Sequence, residues 1–163
     1  MSDISIVPYD AAYRDGVLEL AIATWAPIFE KTKQEVPSFV YGAFYPQGWA
    51  IRQRADVAAL LDNEPECVWL ALSGGELAGF LGIRMHPVDQ MGEIHIIAVS
   101  PDLQRRGIGK ALLEFAERSI RNAGMTMVMV ETVGDSGHEP ARKTYEASGY
   151  ERWPVARYFK RLK

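Results

Sequence analysis

At 163 residues and 18.2 kDa the chain has the usual size of one domain, and residues 1–163 are read as a single domain able to bury a core of several elements. Its composition, 48% hydrophobic, 24% charged and 10% aromatic, excludes a disordered or collagenous chain, and its single cysteine, Cys67, excludes an internal disulfide and a cysteine-rich metal site. A net charge of −3 argues against a nucleic-acid binder, but residues 1–99 carry 6 basic and 13 acidic side chains while residues 100–163 carry 12 and 8, an asymmetry that suggests an anionic ligand for the C-terminal part and a cationic one for the N-terminal part.

Ile4–Pro8 reads as a first strand, since β-branched residues alternate until Pro8 stops the ladder. Asp10 can cap a following helix in which Val17, Leu18, Ala21, Ile22 and Trp25 recur at three- and four-residue steps, ending at Pro27. Residues 27–50 are rich in aromatics, proline and glycine and predict short helical pieces and loops. A further helix is expected over 51–61, closed by Asn63-Glu64-Pro65. Residues 67–72 and 77–85 flank Ser73-Gly74-Gly75-Glu76, a hairpin signal in which glycine supplies positive φ. Residues 93–99 form a third strand of this group, apolar at its end and therefore central. A helix over 107–122 presents Ile108, Ala111, Leu112, Phe115, Ala116 and Ile120 on one face, with Gly124 at its C′ position. A strand over 127–133 completes a βαβ unit with parallel strands. A last helix, 138–148, ends at Gly149, and residues 150–162 look like terminal strand broken at Pro154. No apolar run approaches the roughly 20 residues needed to span a bilayer, and the N-terminus lacks a basic stretch followed by an apolar core, so a cytoplasmic protein without a membrane partner is expected.

The segment Val99-Ser100-Pro101-Asp102-Leu103-Gln104-Arg105-Arg106-Gly107-Ile108-Gly109-Lys110 carries a strand into a helix through a glycine-bearing turn. The first turn of a helix leaves about four N–H groups unpaired and carries roughly half a positive charge, which makes it an anion site. Gly107 and Gly109 remove the Cβ atoms that would hold a phosphate off this backbone, and Arg105, Arg106 and Lys110 add charge. The dinucleotide fingerprint needs a third glycine and a Walker loop needs GxxxxGK[ST]; neither is present. Gln104-Arg105-Arg106-Gly107-Ile108-Gly109 closely resembles the Q/R-x-x-G-x-G/A signature of the GNAT N-acetyltransferase superfamily, and the element order resembles that family from residue 4 to the C-terminus.

The resemblance implies an α/β fold with a mostly antiparallel mixed sheet, a parallel βαβ core and flanking helices. It implies acetyl-CoA as acyl donor, no metal, and a homodimer as an expectation drawn from the family's common habit. Coenzyme A would lie in a split between the strand ending at Val99 and the strand 127–133, with Ile97, Ala98 and Val99 supplying a backbone edge. Gln104 completes the signature, and Arg105, Arg106, Gly107, Ile108, Gly109 and Lys110 would give N–H groups to the pyrophosphate. The run Ala141–Tyr150 resembles the family's A-x-x-x-Y-E-x-x-G-F ending, whose tyrosine, here Tyr145, protonates the departing thiolate. Seven residues earlier the family usually has an asparagine; His138 stands there as a coenzyme contact, in a connection longer than the family's.

Attack by an amine also needs a base. Glu93, six residues before Val99, matches the glutamate of the histone-acetylating branch and is the favoured candidate. Glu131 resembles the base position of the branch that acetylates ribosomal-protein N-termini, and His95 shares a strand face with Glu93. Trp25, Phe29, Glu30 and Tyr41, with Phe44, Tyr45, Trp49 and Glu35 nearby, would form an aromatic, acidic mouth for a cation. The expected reaction is direct acetyl transfer in a ternary complex to a primary amine of a small cationic molecule. A protein N-terminus or lysine is the alternative acceptor, and a non-catalytic acyl-CoA sensor the alternative class.

Overall fold

The computed structural model describes residues 3–163. The fold groups into two compact units, one made of the chain up to Thr24 with Gln53–Glu131, the other of Trp25–Arg52 with Thr132–Lys163.

The first unit is built on one mixed sheet of β1 (Ile4–Pro8), β2 (Val68–Ser73), β3 (Glu76–His86), β4 (Met91–Val99) and β5 (Met127–Val130), in the order β1-β2-β3-β4-β5. The first three pairings are antiparallel and the last is parallel, as the βαβ pattern requires. The β2–β3 turn is closed by Gly74 and Gly75 at φ of 59° and 86°, the two successive positive values that a tight hairpin needs. α4 (Ile108–Asn122) packs across β3 and β4, burying Ile108, Leu112, Leu113, Ala116 and Ile120; each fully buried Leu or Ile contributes about 1.5–3 kcal/mol. Its C-terminus is a Schellman motif, with Gly124 at φ 85° and the Met125 N–H donating to the Ile120 carbonyl at 3.2 Å. α4 lies close because β4 and β3 are small where it crosses. A Cβ on Gly92 would fall 2.3 Å from Ile120, and one on Gly79 would fall 2.6 Å from the Ala98 carbonyl oxygen.

Three expectations are corrected. α1 runs from Arg14 to Glu35 straight through Pro27, so the helix expected to end at that proline continues unbroken for about two more turns. One interior proline costs about 3 kcal/mol, which the remaining turns and the buried Val17, Leu18, Leu20 and Ala21 outweigh. β5 stops at Val130 instead of Val133, for a reason taken up below. Residues 151–163 form no strand: Trp153 and Tyr158 are 84% and 91% exposed, Pro154 lacks a ladder donor, and Arg152, Arg157, Lys160, Arg161 and Lys163 favour water over a sheet.

The second unit holds the C-terminal part of α1, α2 (Ser38–Phe44), the start of α3 (Trp49–Asn63) and α5 (Glu139–Ala147). α5 also closes with a Schellman motif: Gly149 adopts φ 89°, the Tyr150 N–H donates to the Tyr145 carbonyl at 3.1 Å, and the rings of these two tyrosines lie 5.9 Å apart as the apolar contact of the cap.

Gly79→Ala is expected to lower stability by about 1–3 kcal/mol, the usual cost of forcing a methyl into a packed interior. Urea unfolding followed by circular dichroism measures this, and an unchanged midpoint would contradict the close β3–β4 packing.

Candidate acyl-donor and proton-transfer site

In the first unit the central feature is the way β4 outruns its neighbour. β5 pairs with Met91, Gly92, Glu93 and Ile94, and Ile94↔Val130 is the last pairing. On its other side β4 stays bonded to β3 as far as Gly79↔Val99, with one irregularity: Gly82 faces Ile96 while Ile83 faces Ile94, so His95 is an extra residue on β4. Such a bulge bends a strand and increases its local twist. β4 therefore leaves β5 where the bulge lies, which is also why β5 ends early. Residues 95–99, including Ile97, Ala98 and Val99, keep β3 on one edge and have no strand on the other among the described residues. Unpaired strand edges are templates for an extended ligand.

The open edge leads directly to the turn. Ser100 N–H donates to the Ala78 carbonyl at 2.8 Å, and the Val99 carbonyl accepts from the Thr24 hydroxyl at 3.3 Å and the Gln104 amide at 3.4 Å, so Gln104 ties the loop back to the strand. Arg105 has φ 63° and Gly107 φ 83°, the latter as N-cap of α4 with no side-chain cap. A Cβ on Gly107 would meet nothing within 4 Å, so the space beside the first turn is open. The N–H groups of that turn lack helix acceptors by geometry. Arg105, Arg106 and Lys110 are exposed around it; Lys110 also lies 3.7 Å from Glu114. Gly109 stands beside Val99, 3.7 Å from its side chain to a built Cβ. An extended group on the strand edge and an anion at the helix end both fit these residues.

Glu93 lies at the other end of the free edge, 21% exposed, between Arg84 on β3 and Met129 on β5. Its Oε2 is 2.7 Å from Nε2 of His86, at the end of β3. Its Oε1 is 3.9 Å from Nδ1 of His95, and that nitrogen is 3.0 Å from an Arg84 guanidinium nitrogen. Arg84 in turn donates two bonds to Glu64, at 2.9 and 2.7 Å. The Arg84 partner holds the Glu64 carboxyl below its ordinary range, and burial, followed by the Arg84 charge, lowers His95. His95, the candidate that shares a strand face with Glu93, is held by Arg84. Glu131 lies exposed just past β5. The cleft beside this network, about 340 Å³, is lined by Asp56, Leu60, Asn63, Glu64, Arg84 and His95. Sequence reasoning missed His86 and Arg84, because their proximity to Glu93 and His95 depends on a register that spacing does not reveal.

The remaining sequence candidates belong to the second unit. Burial raises the Tyr145 phenol, which keeps it protonated further into alkaline conditions. His138 has its Nδ1 hydrogen-bonded to Asp135, whose other oxygen accepts from the Thr32 hydroxyl at 2.6 Å. Asp135 is 8% exposed, and although burial pushes its carboxyl up, Thr32 and His138 outweigh this and hold it below its ordinary value. His138, expected as a coenzyme contact, thus has its Nδ1 engaged and Nε2 as its remaining ring nitrogen. Ser136 binds Glu35 through both its N–H, at 2.9 Å, and its hydroxyl, and Arg142 donates to the carbonyls of Val133 and Asp135 at 2.6 and 2.7 Å. The connection that is long by sequence is therefore an ordered, polar one.

The aromatic candidates pack largely on each other. Phe29 stacks on Trp49 at 4.7 Å and meets Tyr45 edge-on at 5.3 Å, while Tyr41 lies 4.9 Å from Tyr45. Cations of the chain already approach these rings: Arg52 stands 5.6 Å from Tyr45 and Lys33 stands 6.0 Å from Tyr41. Trp25 is half-buried and Glu30 exposed.

Gly107→Val is expected to abolish coenzyme A binding, since it fills the open space at the helix end and a left-handed φ costs a β-branched residue about 1–2 kcal/mol. Titration calorimetry on folded protein measures this, and unaltered affinity would contradict the assignment of the turn.

The Acetyltransferase (GNAT) family profile matches residues 30–150, about three quarters of the chain. A mycothiol acetyltransferase of Paenarthrobacter aurescens is 29% identical over 161 residues, covering 94% of this chain and 48% of its own length. Another, of Thermomonospora curvata, is 33% identical over 92 residues, covering 56% of this chain and 30% of its own. The chain thus spans less than half the length of these curated relatives. The crystal structure of the PaiA N-acetyltransferase of Thermoplasma acidophilum in complex with coenzyme A has the same fold, with a TM-score of 0.66, 14% identity, and 94% and 93% of the two chains covered. With the strand edge, the glycine turn and the family profile in agreement, the chain belongs to the GNAT acetyltransferase family.

Proposed function

We propose that this chain transfers acetyl from acetyl-CoA, the family's acyl donor, to a primary amine of a small cationic molecule by direct attack in a ternary complex. The observation that carries this reading is the free edge of β4 at residues 95–99, running into the uncapped N-terminus of α4. Pantetheine lies along the edge as an extra strand, and the pyrophosphate takes the N–H groups of residues 105–110. Glu93 is the base: its partly buried carboxylate stands at the start of the free edge, bonded to His86. Tyr145 gives its proton to the departing thiolate, a role suited to a phenol that burial keeps protonated.

A cationic acceptor is supported by the excess of acidic residues in 1–99. A small acceptor is in keeping with relatives named for mycothiol.

The test is thiol release from acetyl-CoA against a panel of small amines, peptides with free N-termini and lysine peptides, with products identified by mass spectrometry. The expected result is acetylation of small cationic amines above background hydrolysis. Turnover confined to peptides would contradict the acceptor class, and tight acetyl-CoA binding without turnover on any amine would contradict the enzymatic reading. In the active protein, Tyr145→Phe should lower kcat by on the order of 10²-fold with little change in acetyl-CoA affinity, the size expected for one lost proton donor. An unaltered kcat would move the acid elsewhere.

A further inference from the structure

We infer that His86 is the proton exit for Glu93, returning the base to its ionised form on each turnover. This rests on Glu93 acting as the base. A carboxylate that takes a proton from an ammonium must lose it again, and Glu93 is only 21% exposed. Its two polar neighbours differ in what they can accept. His95 turns Nδ1 toward Glu93 Oε1, but Arg84 lies 3.0 Å from that same nitrogen. A guanidinium only donates, so Nδ1 is already the acceptor of Arg84 and the ring proton sits on Nε2. Arg84 is held by both oxygens of Glu64 and by its fixed charge passes no proton onward.

His86 is placed differently. Its Nε2 is 2.7 Å from Glu93 Oε2, and its side chain is 40% exposed at the end of β3, so one nitrogen meets the base while the ring reaches water. An imidazole has two ring nitrogens, so it can take a proton at one and release one from the other. The groups facing Glu93 are thus His86 and Arg84 from β3 and His95 from its own strand, with apolar Met129 opposite on β5 and Glu64 behind Arg84.

The protons balance as follows. The substrate ammonium loses one N–H proton to the Glu93 carboxylate, leaving a neutral amine and a neutral carboxylic acid. The acid passes that proton from Oε2 to Nε2 of a His86 ring whose own proton is on Nδ1, restoring the carboxylate and forming an imidazolium. The imidazolium releases its Nδ1 proton to bulk water, and the neutral ring, left with its proton on Nε2, regains the starting tautomer by proton exchange with water. The net change is one proton moved from substrate to solvent. His86 touches Glu93 and not the reacting atoms, so it is a positioning and relay residue.

The experiment compares His86→Ala, His86→Gln and Glu93→Gln by steady-state kinetics across pH, with and without free imidazole. His86→Ala should lower kcat by about 10-fold, less than the 10²–10⁴-fold that direct acid–base catalysis contributes, with KM for acetyl-CoA unchanged. Added imidazole should restore its rate in proportion to concentration. His86→Gln, which keeps a hydrogen-bonding side chain but no titrating group, should fall with it. Glu93→Gln should lose activity, flatten the acidic limb of the pH profile and gain nothing from imidazole. If His86→Ala and His86→Gln keep the parent rate and pH profile, or lose rate without rescue while still folded, the relay is overturned and the Glu93 assignment stands. If Glu93→Gln keeps the parent profile, the base assignment itself is overturned.

Discussion

The structure depends on a divergence. β4 and β5 begin as an ordinary parallel pair and part company after Ile94↔Val130, at the bulge formed by His95. A strand edge in a sheet carries unpaired N–H and C=O groups, and proteins usually cover or blunt such edges. Here the exposed edge belongs to a central strand and leads into a helix N-terminus, two sets of unsatisfied backbone donors in series. An extended polar chain ending in phosphates is the kind of ligand that suits both.

The polar network gathers at the same end of β4. Glu93 and His95, two positions apart on one strand face, come within 3.9 Å of each other, with Arg84 paired to Glu93 on β3 and His86 reaching it from the end of that strand. Burial and the Arg84 charge both lower His95, whose Nδ1 lies against Arg84, while Glu93 keeps a separate bond to His86. The start of the free edge is thereby also the place where charge and protons are arranged. Close helix packing supports this end of the strand, because Gly92, next to Glu93, leaves room for Ile120 of α4.

Much of this was legible in the sequence. Alternation and the Gly74-Gly75 turn gave the hairpin, the apolar spacing of α4 and Gly124 gave that helix and its end, and Gln104–Gly109 gave the glycine turn that leads into it. What was illegible depends on contacts distant in sequence. Pro27 signals a helix end locally, and only the rest of α1 overrides it. Residues 151–163 have strand-like composition, but a strand exists only with a partner, and among the described residues they have none. The Asp135 bonds to Thr32 and His138 and the His86 bond to Glu93 join positions that no spacing rule connects.

The most direct measurement is amide hydrogen exchange with and without acetyl-CoA. The account predicts slowed exchange concentrated at residues 97–99 and 105–110, with Met91–Ile94, already paired on both sides, little altered. Slowing elsewhere with these two segments unchanged would contradict it.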